Sequence, residues 1–163
     1  MNRDLEPGGI GGWLILPAIG LAVSPFWQGF ELVRDILPSL DFSVLRTLSD
    51  PSSANYSPLW VPTIVFEVAT SVLMFVFTVW LIYLFFFRKT PLVPRLFIIW
   101  LAGHLVIQII DRLLVNSLPL AAEPNRGGAL VDLGRSIINA AIWIPYFIWS
   151  IRVRNTFIHV AAA

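Results

Sequence analysis

The chain has 163 residues, of which 57% are hydrophobic and 13% charged, with a net charge of +1 and no cysteine. The charged share is about half that of a soluble domain. No basic patch or stripe speaks for nucleic acid, and disulfides, thiolate nucleophiles and thiolate metal sites are excluded with cysteine. A mean hydropathy of +0.78, seven Trp and twelve Phe fit a protein whose partner is a lipid bilayer, with aromatic residues near both interfaces.

In chain order, residues 1–9 are polar and end in the loop Pro7-Gly8-Gly9. Arg3 is offset by Asp4 and Glu6, and the apolar region that follows is too long for a signal-peptide core. It reads as a retained first span over about 11–33, interrupted by Pro17 and Pro25. Trp13, Pro17, Gly20, Ser24, Gln28 and Glu31 share one stripe of it, the small and polar face that close helix packing in lipid needs. Residues 34–60 form a first connection. Within it Phe42, Val44, Leu45 and Leu48 suit a short surface helix capped by Asp41, or an irregular loop with apolar contacts.

The second span, about 61–87, is the most apolar stretch and starts with Pro62 in a favoured first-turn position. Glu67 is its one charge; a carboxylate there costs several kcal/mol unless it is paired or neutral. Thr63, Thr70, Ser71 and Thr78 lie on the same stripe, with Met74 beside them. A basic turn, 88–91, leads to a third span over about 92–115, where His104, Gln108, Asp111 and Arg112 fall within one ~100° arc. A second polar connection, 116–128, precedes a fourth span over about 129–151. On it Arg135, Asn139, Trp143, Tyr146 and Ser150 share a face. A short basic tail, 152–163, follows.

The positive-inside bias orients this hairpin of hairpins. With both termini in the cytoplasm, Arg3, Arg88, Lys89, Arg95, Arg152 and Arg154 are inside, and the outer loops hold Arg46 and Arg126. The expected fold is then all-α, a single polytopic membrane domain built as a four-helix bundle. The depths of Glu31, Glu67, His104, Gln108, Asp111, Arg112, Arg135 and Asn139 gather them toward the outer end. Two readings stay open for this cluster. Buried ion pairs, foremost Glu67 with Arg135, could fix helix register; alternatively the cluster lines a ligand or ion pocket open to the outside. His104 by itself reads as a hydrogen-bonded packing residue, and His159, in the inner tail, is too far away to be a second axial haem ligand. Asp111-Arg112 reads equally as a solvated interfacial pair.

No Gly-x-Ser-x-Gly elbow, His-Glu-x-x-His or phosphate-cradling loop is present. The expectation is a protein that is not an enzyme and carries no metal or cofactor. One function class is an accessory or assembly protein working with a membrane-protein partner or a second copy of itself. The other is a small transporter, channel or sensor.

Two motifs at the ends are specific. Gly11-Gly12-Trp13-Leu14-Ile15-Leu16-Pro17-Ala18-Ile19-Gly20-Leu21 and Phe66-Glu67 resemble the domain-of-unknown-function 2569 family of bacterial four-helix membrane proteins. Trp143-Ile144-Pro145-Tyr146-Phe147, Ser150, Arg152-Val153 and Asn155-Thr156-Phe157 are similar to its last helix and tail. The resemblance spans nearly the whole chain and implies four spans in a bacterial inner membrane. It brings no activity and no catalytic residues. It singles out Trp13, Pro17, Glu67, Arg135, Pro145, Tyr146 and Arg152 as motif positions.

Overall fold

The longest apolar run forms the longest helix. In the computed structural model, which describes residues 8–53, 56–118 and 126–157, α4 (Trp60–Tyr83) continues through a wider π-type turn, Leu84–Arg88. Those 29 residues reach roughly 43 Å, enough to cross a bilayer with some tilt. Lys89 ends them in a left-handed conformation (φ 47°), its amide bonded to the Leu84 carbonyl at 2.7 Å. Val93–Asn116 (α5) then returns antiparallel, with Pro94 in its first turn where no intrahelical donor is lost.

The other elements are α1 (Ile15–Glu31), entered by a tight turn at Gly12–Leu14, the short turns Leu32–Ile36 and α2 (Leu37–Ser39), α3 (Phe42–Leu48), α6 (Arg126–Trp149) and α7 (Ile151–Phe157). No strand occurs among the described residues. The chain is thus an all-α bundle in which Gly12–Arg34, Trp60–Arg88 and Val93–Asn116 are each long and apolar enough to cross a membrane. Leu130–Trp149 and Ile151–Phe157 make a fourth span if counted together, across a 67° bend.

Pro17 stands in the first turn of α1, where its missing N–H has no partner to lose. Between the spans, α3 forms with Asp41 as its cap: the carboxylate accepts from the Ser43 amide at 2.8 Å and from its hydroxyl at 2.7 Å. The Ser43 hydroxyl, then the Ser43 amide, hold the Asp41 carboxyl below its ordinary pKa.

Close packing runs from α1 to α4, from α4 to α5 and from α5 to α6. At one end of the bundle Leu14, Leu21, Leu81, Phe85, Val93, Phe147, Val153 and Phe157 bury one another. Phe97 and Phe147 stack at 4.1 Å and tie α5 to α6. The Phe85 and Phe157 rings meet edge-on at 5.1 Å and Thr156 reaches Gly9, so the 88–91 turn and the first and last described segments lie at this end.

The stretch expected as a basic tail beyond a span reaching residue 151 is corrected here. The helix breaks at Ser150, and α7 turns aside by 67° with Val153, Thr156 and Phe157 buried. The physical reason is the apolar spacing of Val153 and Phe157 on one face of a helix, which the basic residues between them mask in a composition count. The charges Arg3, Asp4, Glu6, Glu123 and His159, the loop residues Pro119 and Pro124, and the closing alanines lie outside the described residues.

Candidate functional site

At the other end the helices leave a cavity of about 370 Å³. Gln28 and Glu31 reach it from α1; Glu67, Thr70, Ser71 and Met74 from α4; His104, Ile107, Gln108, Asp111 and Arg112 from α5; and Asp132 from α6. The helical repeat explains the selection. Residues 67, 70, 71 and 74 are one stripe of α4, and 104, 107, 108 and 111 are one stripe of α5. Because α4 and α5 run antiparallel, the two stripes face each other turn by turn.

The floor is a hydrogen-bonded cluster centred on Thr78. Its hydroxyl donates to the Met74 carbonyl at 2.7 Å and accepts from Trp100 Nε1 at 2.8 Å and from Gln28 Nε2 at 3.0 Å. One hydroxyl can donate once and accept twice, so Thr78 is fully used. The Gln28 nitrogen lies 3.3 Å from His104 Nε2, so Gln28 bridges Thr78 and His104. Trp100 packs edge-on against the His104 ring at 4.9 Å. Below this cluster begins the aromatic core.

Above the floor, the carboxyls of Glu67 and Asp111 lie within hydrogen-bonding reach of each other. Such a bond exists only while one of the two carries a proton. Asp111 Oδ1 and Gln28 Oε1 are shut off from solvent and have no hydrogen-bond partner among the described residues. Glu31 accepts from Trp27 Nε1 at 2.6 Å.

Glu31, Glu67, His104, Gln108, Asp111 and Arg112 are brought together as the sequence suggests. Arg135 and Asn139 are not. The expected Glu67–Arg135 pair is absent: Arg135 bonds Asp132 one turn earlier on its own helix at 3.2 Å, both side chains largely exposed, and Asn139 is exposed as well. Matching depth along the membrane normal did not decide the pairing, because α6 turns this edge away from α4 and a partner three residues away was at hand. Sequence reasoning passed over Asp132, whose i,i+3 spacing to Arg135 was the available signal. Gln28 was placed only on a packing stripe, and Trp100 gave no signal beyond its hydropathy.

The motif residues of the two termini meet at the opposite end. The Thr156 hydroxyl shares its proton between the Arg152 carbonyl one turn back at 2.7 Å and the Gly9 carbonyl at 3.1 Å, and the Arg152 guanidinium lies over Gly11 and Gly12. A Cβ on Gly11 would come within 2.6 Å of Arg152 Nη1. Gly12 adopts φ +54°, which glycine takes without strain. Pro17 and Tyr146 flank the same packed end, whereas Trp13 is 72% exposed and Pro145 lies inside α6.

A family model described as a protein of unknown function (DUF2569) matches residues 7–158. No curated protein and no solved structure matches the chain.

Proposed function

The chain belongs to the DUF2569 family, and on that footing we propose that it is a small-solute sensor or carrier of the bacterial inner membrane, with its polar pocket facing outward. The carrying observation is the cavity of about 370 Å³ lined by Glu67, His104 and Asp111. A dry ion pair at Glu67 would have favoured a purely structural role for it; a roomy polar cavity at bilayer depth favours occupancy by a ligand. The positive-inside bias of Arg88, Lys89, Arg95, Arg152 and Arg154 supports cytoplasmic termini and an outward pocket. The reading assigns no reaction to the protein.

The cysteine-free chain makes a direct test simple. Ser71→Cys, on the pocket wall, should react with a membrane-impermeant thiol reagent added outside intact cells. Pro91→Cys, at an exposed position of the 88–91 turn, should react only after permeabilisation. Failure of Ser71→Cys to label from either side would end the pocket reading, and labelling only from within would end the orientation.

A second reading, assembly with a partner or a second copy, draws on α1. A side chain built at Gly20 would meet nothing within 4 Å, so its side of α1 is open to another helix. Gly20→Cys should then give oxidative cross-links in membranes; its persistence as a monomer under oxidation would count against assembly through this face.

A further inference from the structure

One edge of α6 is polar and uncovered. Asp132, Arg135 and Asn139 fall within one ~60° arc of this helix. The Arg135 and Asp132 side chains stay 72% and 64% exposed although they bond each other. Asn139 is exposed halfway along Leu130–Trp149, two turns further in. Close packing joins α1 to α4, α4 to α5 and α5 to α6. Among the described residues no comparable packing joins α6 to α1, so no described helix covers this edge. Water and head groups can screen the outer two side chains. Asn139 lies at acyl-chain depth, where an amide without a partner costs free energy that a hydrogen-bonding helix recovers.

We propose that this edge is where a second copy of the chain docks, α6 against α6, across a two-fold axis along the membrane normal. The interface lies on another helix than the Gly20 side of α1, and it needs no ligand in the pocket.

The edge is its own complement, which a two-fold interface requires. It presents an acid, a base one turn on, and an amide that both donates and accepts. With two α6 helices side by side, residues of like number meet at like depth. Asp132 of each copy then has Arg135 of the other within reach, and the two Asn139 amides bond each other on the axis. The exchanged ion pairs add to the pair that each helix already makes. A lone amide in an apolar seam also fixes register and partner number. An unrelated helix would match this edge only by carrying the same order of charges, whereas the second copy carries it by identity. Because Asp132 lines the cavity, Arg135 of the second copy becomes part of its rim.

The test uses the full-length, otherwise cysteine-free chain in the membranes of cells that express it. Asn139→Cys should oxidise to a disulfide-linked dimer of two 18.3 kDa chains. Ile142→Cys, exposed one turn on and keeping the amide, should link through a short bismaleimide. Ile137→Cys, exposed at the same depth on the opposite side of α6, should do neither. In the Ile142→Cys background, Asp132→Arg and Arg135→Asp each set like charges against each other, and each alone should cut the linked fraction about tenfold. Expressed together, the two variants should link to one another, because the lost partner is then found only across the interface. The α6 dimer is overturned if neither Asn139→Cys nor Ile142→Cys links, if Ile137→Cys links as readily, or if the product contains a different protein. A linked fraction that the single charge changes leave unaltered, or that coexpression does not recover, overturns it too. If Gly20→Cys still links copies in that case, assembly through α1 survives, and labelling of Ser71→Cys from outside leaves the pocket reading standing.

Discussion

Thr78 shows how much one hydroxyl can organise inside a membrane. It joins α1, α4 and α5 through Gln28, its own backbone and Trp100. Thr78→Val keeps the shape and removes the hydroxyl, leaving two buried donors unpaired. Each costs about 1–3 kcal/mol, so the thermal transition in detergent should fall clearly below wild type, while Thr78→Ser should stay close to it. Equal transitions for Val and wild type would mean that water replaces the hydroxyl. Asp41 offers a milder test outside the spans. Its carboxyl pKa is depressed in the folded state, so the cap stabilises α3 above the ordinary value of 3.8 and is lost as pH falls through the lower folded value. Protection of amides 42–48, measured relative to the intrinsic exchange rate at each pH, should fall on acidification in wild type, and should be low at all pH values in Asp41→Ala.

Elements differed in how far the sequence disclosed them. The stripes of α4 and α5 were legible because a polar side chain in an apolar helix has few places to go. Glu67, His104, Gln108 and Asp111 therefore meet, as their spacing implies. The orientation of α6 was not legible. Its face carries Arg135 and Asn139 beside Trp143 and Tyr146, and nothing in one sequence says which of these the neighbouring helix covers. The cap at Asp41 was readable from local chemistry alone, whereas the break at Ser150 depends on what α7 packs against. The clasp between Arg152 and the glycines can be probed as a cycle. Gly11→Ala should loosen it, raising proteolysis of the first residues, because the new methyl collides with the guanidinium. Arg152→Ala added to Gly11→Ala should remove that collision, making the two effects non-additive. Strictly additive effects would place the glycine's role elsewhere.

At the scale of the whole molecule, the two ends of the bundle are built differently. One is filled with packed rings from Phe85, Phe97, Phe147 and Phe157; the other is hollow and polar. Phe147→Ala should cost about 3–5 kcal/mol in the filled end. Reactivity of Ser71→Cys in the hollow end should change little under conditions where the variant stays folded. A large change there would mean that the ends are mechanically coupled.

The hydrogen bond from Thr156 to Gly9 spans 147 positions of the chain. An insertion machinery that releases helices one after another therefore meets the first segment long before its last contact exists. The opening glycines wait, docked on nothing of their own, until the final helical turn has emerged and bent aside. The last few residues thus act as a completion signal for the first. A chain stopped at Ser150 should insert all its long helices and still leave its beginning open to proteases.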